Sequence, residues 1–283
     1  MRPRPAGLLT PPIQKCRERA GVDIQRQEGA LGRSSGSVHF GYPRLAVPLL
    51  ALALLLTACA GTRRTESATV FAAASLSSVF PQIADEAHTP ASFSFDGSSG
   101  LVDQLAGGAP ADVLATADRA TMDRAVKAGL VSSPQEFATN RLAIVVAKGN
   151  PLGITDLSDL RGGKLIVCAP EVPCGRATAL VAADRSLTVM PVSQELKVTD
   201  VVGKVASGEA DVGVAYSTDT NEKVDTLPLP GADKRATHLY LAKTTDAPHP
   251  ELADAFIAAV TGQTGRTLLT RQGFGAPSTS GHG

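Results

Sequence analysis

The feature that most restricts what this chain can fold into is a strand-to-helix turn made twice in close succession. In Thr69–Ser78, TVFAAASLSS, the apolar Val70 and Phe71 suit a buried strand. Three alanines follow, and then Ser75 or Ser78 suits the N-cap of a helix. In Phe93–Leu101, Phe93 and Phe95 alternate as in a strand, Asp96-Gly97 ends it, and Ser98-Ser99-Gly100 opens the next apolar-periodic segment. Either serine pair alone is also explained as ordinary capping. Two such turns aim hydroxyls and free backbone N–H groups at what reads as one shared pocket, and such a point attracts an anion.

The order of elements around these turns is β-α-β-α-β-α. The spacing predicts a helix over Leu76–Ala87, with Pro81 tolerable only if that helix begins close to Ser78. A strand at Ala91–Phe95 follows, then a helix at Ser99–Ala106 stopped by Gly107-Gly108, a strand within Ala109–Thr116 and a helix at Asp118–Gly129. Such alternation implies a mostly parallel sheet with right-handed crossovers and ligand sites at the carboxyl ends of strands. Arg141–Ala147 is the most apolar strand candidate. Beyond it come a short helix at Leu157–Leu160, a strand at Lys164–Cys168, helices at Gly175–Ala183 and Val198–Ser207, and a strand at Asp211–Ala215. Ala236–Ala242 reads as a returning strand, and Pro250–Val260 and Gly265–Leu269 as closing helices. A strand that leaves one lobe and another that returns describe a two-lobed clamp with its ligand in the cleft.

Composition narrows the ligand. Trp is absent and aromatics make up 4% of the chain, which argues against an aromatic stacking surface for nucleic acid. The formal charge is zero, but residues 1–58 carry eight Lys/Arg against three Asp/Glu, leaving nineteen against twenty-four for residues 59–283. The basic footprint of a nucleic-acid binder is missing there.

Residues 45–58 form an apolar run of secretory length, shorter than a bilayer span and preceded by Arg44. It ends in Leu56-Thr57-Ala58-Cys59, which resembles a bacterial lipobox. That resemblance implies cleavage before Cys59, lipidation of its sulfur and anchoring at the outer face of the cell membrane; the alternative is a plain signal or anchor helix with an incidental cysteine. Residues 1–40 are rich in Arg, Gly and Pro without periodicity, an odd preface to a signal peptide, and translation is expected to start nearer Val38. The expected domains are an extension and signal peptide at 1–58, a tether at 59–67, lobe I at 68–143 with 237–276, lobe II at 144–236, and a tail at 277–283.

In an exported, oxidising setting, Cys168 and Cys174, either side of Ala169-Pro170-Glu171-Val172-Pro173, are expected to form a small-loop disulfide. One buried and one exposed thiol is the rival. No directly ligated metal is expected, because there is no second Cys pair and the five histidines lack ligand spacing.

Taken together, these motifs resemble the molybdate-binding proteins of bacterial ABC importers. The similarity covers residues 68–276 and rests on TVFAAASL, the GSSG turn before Leu101, GAPADVLATAD with Met122-Asp123, the PEVPCG turn, SGEADVGVAYSTD and a closing Gly273-Phe274. The resemblance implies a type II periplasmic-binding-protein clamp of α/β class, each lobe a mixed, mostly parallel sheet flanked by helices. It further implies capture of molybdate, with tungstate also accepted and sulfate rejected, and delivery to an ABC permease and its ATPase by a monomer. No cofactor and no catalysis are implied.

Carried over by position, Ser75 gives a hydroxyl and a backbone N–H, and Ser98 matches the second pocket serine. Cys174 stands where the family usually has a small residue such as Ala and contributes a backbone N–H at a helix start. Val198 aligns with a family valine whose N–H faces the ligand, although Lys197 and Gly203 depart from the commoner pattern. Tyr216 matches a phenol donor; otherwise it is a core residue satisfied elsewhere.

The chemistry suits these residue types. Hydroxyls, a phenol and helix-start N–H groups can hold a tetrahedral dianion without a Lys or Arg, since bonds to a charged acceptor are about twice as strong as neutral ones. A smaller sulfate would leave some donors unpaired, costing roughly 1–3 kcal/mol each. Another oxyanion such as sulfate is the alternative ligand. Ferric iron would want clustered Tyr, His and carboxylates. A hydrolase would need a nucleophile beside a base, and neither G-x-S-x-G nor H-E-x-x-H occurs. A purely structural cell-wall lipoprotein would leave the paired serine turns unexplained.

Overall fold

The computed structural model describes residues 66–160 and 162–278; Cys59, the apolar run before it and most of the tether lie outside the described residues. In chain order the elements are β1 (Ala68–Ala73), a 3₁₀ turn (Ala74–Leu76), α1 (Phe80–Glu86), β2 (Ala91–Asp96), α2 (Ser98–Ala106), β3 (Val113–Thr116), α3 (Arg119–Lys127), β4 (Val131–Asn140) and β5 (Leu142–Ala147). There follow β6 (Leu165–Cys168), α4 (Pro173–Asp184), β7 (Ser193–Glu195), α5 (Val198–Ala206), β8 (Val212–Tyr216), β9 (Val224–Pro228), β10 (Thr237–Thr244), α6 (Pro250–Thr261) and α7 (Gln263–Arg271).

These strands make two five-stranded sheets, ordered β2-β1-β3-β10-β4 and β7-β6-β8-β5-β9. In the first, β1 runs parallel to β2 and β3, while β10 is antiparallel to β3 and β4. In the second, β6 is parallel to β7 and β8, and β5 is antiparallel to β8 and β9. The fold is therefore α/β, with two mixed sheets flanked by helices. Register decides where the chemistry collects. Ala73 at the end of β1 pairs with Asp96 at the end of β2, so the turns after both strands leave the same sheet edge side by side. In the second sheet Cys168 pairs with Glu195, which brings the chain leading into α4 and α5 to one edge.

Cores form where the parallel strands are covered. The few aromatics gather under the first sheet: Phe80 meets Phe256 edge to face at 5.3 Å and Phe137 at 5.8 Å between ring centres. Both Phe80 and Phe256 are fully buried, and such pairs contribute about 0.5–1.5 kcal/mol beyond the area they remove from water. In the second sheet Gly213 lets α5 lie close, since a Cβ there would sit 2.7 Å from a Val201 methyl.

The structure departs from the sequence expectations in several places. The helix expected from Leu76 begins only at Phe80, which puts Pro81 in its first turn where a missing N–H costs nothing. The residues before it form a 3₁₀ turn instead, and neither Ser75 nor Ser78 is an N-cap. Strand β4 was not foreseen. Its Pro134 and largely exposed middle read as loop, and it is admitted because it lies at a sheet edge, where a proline need not donate. Edge strands β7 and β9 were missed for the same lack of a periodic apolar face. The crossing between sheets falls between Asn140 and Leu142, before the expected boundary after residue 143, because the whole of β5 pairs with β8 and β9.

Candidate functional site

A small cavity lies where the two sheets' turn-bearing edges face each other. From the first sheet's side it is lined by Ala73, Ala74, Ser75, Asp96, Gly97, Ser98 and Ala117; from the second's by Val172, Pro173, Cys174, Leu196, Val198 and Tyr216. All five residues singled out from sequence, Ser75, Ser98, Cys174, Val198 and Tyr216, are brought together here. About 20 Å³ is open to the centre of a water-sized sphere. One water needs about 10–15 Å³ by the same measure, so the space as it stands is of the order of one or two waters and suits a small ion.

Each lining residue owes its place to a local rule. The 3₁₀ turn after β1 carries Ser75, and its start at Ala73 has no side-chain cap. Helix α2 begins after Gly97, again without a side-chain cap, which puts Ser98 in its first turn. Helix α4 begins after Val172 with Pro173 at its first position, and α5 begins after Lys197, both without a side-chain cap. Four helix starts thus meet the cavity uncapped, and the first N–H groups of a helix have no partner inside it. Helix α3 shows the contrast: the Asp118 carboxylate accepts from the Thr121 N–H at 2.9 Å.

The hydroxyls are divided in their use. Ser98 Oγ accepts from the Ala117 N–H at 3.0 Å, leaving its own proton to donate. Ser75 Oγ and the Tyr216 phenol oxygen are buried without a hydrogen-bond partner. An unmet buried hydroxyl costs about 1–3 kcal/mol, so two at one cavity are a cost the fold carries unless something polar is bound. Burial and the nearby negative charge of Asp118 push the Tyr216 phenol well above its ordinary value; the Thr237 hydroxyl, which faces it but is spent on the Asn140 carbonyl at 3.3 Å, and the Arg176 charge pull less strongly the other way. The phenol is held as a donor.

The walls contain no Lys, Arg or His. The one carboxylate among them, Asp96, accepts from the Gly97 N–H at 2.6 Å and pairs with Lys197 at 3.0 Å, so its charge is compensated. Among the described residues no group of three His, Cys, Asp or Glu could hold a metal ion. Cys168 and Cys174 are joined by a disulfide that closes the turn leading into α4. Gly175 completes this close approach: a Cβ there would fall 1.8 Å from the Ala169 carbonyl oxygen.

Sequence reasoning did not assign a place at the site to Asp96, Gly97, Ala117 or Leu196, nor to Asp118, Arg176 and Lys197 just behind it. The signal for the first lobe's members was present in the DGSSG and ATAD stretches. For Arg176 and Lys197 there was none, because their partners lie in the other lobe.

Comparisons with known proteins cover the stretch of chain that carries the cavity. The family described as bacterial extracellular solute-binding protein matches residues 68–275. The molybdate-binding protein ModA of Mycobacterium tuberculosis (strain ATCC 25618 / H37Rv) is 43% identical over 227 residues, covering 76% of this chain and 87% of that protein. The molybdate-binding protein ModA of Escherichia coli (strain K12) is 29% identical over 247 residues, covering 80% and 96%. Among solved structures, the Azotobacter vinelandii periplasmic molybdate-binding protein superposes with a TM-score of 0.63 at 18% identity, over 75% of this chain and all of that one. The sulfate-binding protein SubI from Mycobacterium tuberculosis H37Rv superposes with a TM-score of 0.60 at 21% identity, over 74% and 86%. At such identities these superpositions speak for the fold and leave the anion open.

Proposed function

The chain belongs to the bacterial extracellular solute-binding proteins, and we propose that within that family it captures molybdate, with tungstate as a second ligand, for an ABC importer. The observation that carries this reading is the pair of buried, unpartnered hydroxyls, Ser75 Oγ and the Tyr216 phenol, at one small cavity whose walls hold no cation. A dianion there would receive the Ser75 and Ser98 hydroxyls, the phenol, and the N–H groups of Ser75, Cys174 and Val198. The donor set supports an oxyanion; the 43% identical relative supports molybdate among oxyanions. Fixed neutral donors select by size, because a smaller anion cannot reach all of them at once.

The rest of the reading concerns delivery. Residues 68–143 with 237–276 act as one lobe and 144–236 as the other, and the pairing of β5 with β8 and β9 supports a crossing a few residues earlier. The protein works as a monomer, hands its ligand unchanged to a permease driven by an ATPase, and is held at the outer face of the membrane by lipid on Cys59. Titration calorimetry with molybdate, tungstate, sulfate and phosphate tests the ligand. Molybdate and tungstate are expected to bind at micromolar levels or tighter, with sulfate and phosphate weaker by at least tenfold, the worth of about one misplaced donor. Equal response to sulfate and molybdate would defeat the molybdate reading. Mass spectrometry of the membrane-extracted protein tests the anchor: no diacylglyceryl mass on Cys59 would refute it.

A further inference from the structure

A site with neutral walls leaves open what pulls the two lobes together around a dianion, since the donors lie on both sides but no cation does. The charges are present as pairs, with Asp96 in the wall itself and Lys197, Asp118 and Arg176 one step behind it. Asp118, next to the lining residue Ala117, takes the Arg176 guanidinium through Nε at 2.9 Å and Nη2 at 2.6 Å on one carboxylate oxygen. Arg176 lies one turn into α4, behind Cys174. The same Nη2 donates to Thr121 Oγ1 at 2.7 Å, and Nη1 to the Glu171 carbonyl at 2.5 Å, an oxygen that also accepts from Ser99 Oγ at 3.0 Å. Lys197, between the lining residues Leu196 and Val198, reaches Asp96 at 3.0 Å. In both pairs the carboxylate belongs to the first sheet's side and the cation to the second's.

Resting on the oxyanion reading above, we infer that Asp118–Arg176 and Asp96–Lys197 are a two-point electrostatic latch, which positions the lobes and gives the ligand no donor. Each carboxylate answers one cation, so the latch adds no net charge to the cavity and cannot tell one oxyanion from another. Its work is to slow reopening. The Arg176 pair is the stronger arm: the side chains are 33% and 15% exposed, against 39% and 27% for Lys197 and Asp96, and the guanidinium is held by four bonds. Salt screens such pairs in proportion to their exposure.

Stopped-flow binding of molybdate to the purified protein tests this. Arg176→Gln alone would leave the Asp118 charge bare beside the phenol, so the decisive variant is Asp118→Asn with Arg176→Gln, which keeps a capping oxygen for the Thr121 N–H. Its dissociation rate is expected to rise about tenfold with the association rate within about twofold, and the molybdate-to-sulfate affinity ratio unchanged. Asp96→Asn with Lys197→Gln, which keeps an acceptor for the Gly97 N–H and leaves no bare carboxylate in the wall, is expected to raise dissociation about threefold. Raising salt should speed release from the wild type more than from the decisive variant. A decisive variant that releases at the wild-type rate would overturn the latch, as would a shifted affinity ratio, which would mean that the pair acts on the anion. Should the wild type bind no oxyanion at all, the ligand reading fails and the latch is judged by small-angle scattering of the ligand-free proteins. A larger radius for the decisive variant then supports it, and equal radii sink it.

Discussion

The two sides of the cavity solve one problem by different means. The first sheet's side offers side-chain hydroxyls, Ser75 and Ser98, each carried by the turn after a parallel strand. The second side offers the starts of α4 and α5 at Cys174 and Val198, where the useful atom is a backbone N–H, and adds a single phenol, Tyr216. One side depends on which residue is present and the other on where the chain runs. A Cys can therefore occupy a donor position in the second side, whereas a lost hydroxyl in the first cannot be replaced by geometry.

The comparison is broken most directly where the two sides touch. Gly97 has φ −60° and ψ 132°, a conformation open to any residue, so its lack of a side chain is not a backbone requirement. A Cβ there would instead lie 2.4 Å from the Leu196 carbonyl oxygen across the cavity. Gly97→Ala is expected to fold normally but to hold the sides apart, weakening molybdate binding roughly 100-fold, the upper end of an overpacking cost. Calorimetry checks the affinity, and a melt without ligand within about 2 °C of wild type checks that the fold is intact. An unchanged affinity would show that the two sides need not approach this closely.

Next in size are the hydroxyls, and here the ligand-free protein supplies a second reading. Ser75→Ala and Tyr216→Phe each remove a donor to a charged acceptor and should weaken binding roughly 10- to 100-fold. Because both oxygens are buried without partners, the same changes should leave the empty protein as stable or raise its melting temperature. Ser98→Ala should weaken binding similarly but lower that temperature, since the Ala117 N–H loses its acceptor. Opposite stability effects with a shared loss of affinity would sharpen the division of labour; three variants that destabilise alike would erase it.

How much of this could be read in the chain follows the same division. The first side was legible because its site residues sit at the end of a strand signal: Phe93 and Phe95 alternate, Asp96-Gly97 stops the strand, and Ser98 follows. The second side was legible only at Cys174, Val198 and Tyr216, and there through resemblance rather than periodicity, because a backbone donor leaves no mark on residue type. The α/β alternation predicted the two sheets, but β4 escaped notice. A strand with Pro134 in it reads as loop until its edge position is known. The uncapped state of the four helix starts was read in reverse, since Ser75 was a candidate cap and its hydroxyl is instead unused.

The disulfide probes the second side without touching a donor. Cys168 and Cys174 fix the turn into α4, but the Cys174 group offered to a ligand is its N–H. Replacing both with Ala should lower stability by about 2 kcal/mol, the entropy of a short closed loop, and change affinity less than about threefold. Chemical denaturation and calorimetry on one preparation give both numbers. An affinity loss as large as that of Ser98→Ala would mean that backbone position here depends on the covalent tie, and that chain course alone does not hold the donor.

The smallest effect expected on affinity comes at the end of β8, where an acid–base change shows in stability instead. Asp219, which keeps part of its surface in solvent, accepts from the Tyr216 N–H at 3.0 Å, yet the packing around it outweighs that bond and pushes its carboxyl up to about 7. An unfolded aspartate titrates near 4, so between about pH 4 and 7 the folded chain holds a proton that the unfolded chain has released. Stability must then fall as pH rises through that window and level off above about pH 7. Asp219→Asn keeps an acceptor for the Tyr216 N–H and has no charge to bury. Its melting temperature relative to wild type should climb by a few degrees from pH 4 to pH 8, as thermal melts at both values would record. A constant offset would mean that the carboxylate is solvated in the folded state, and that the second side carries no electrostatic cost for placing its phenol.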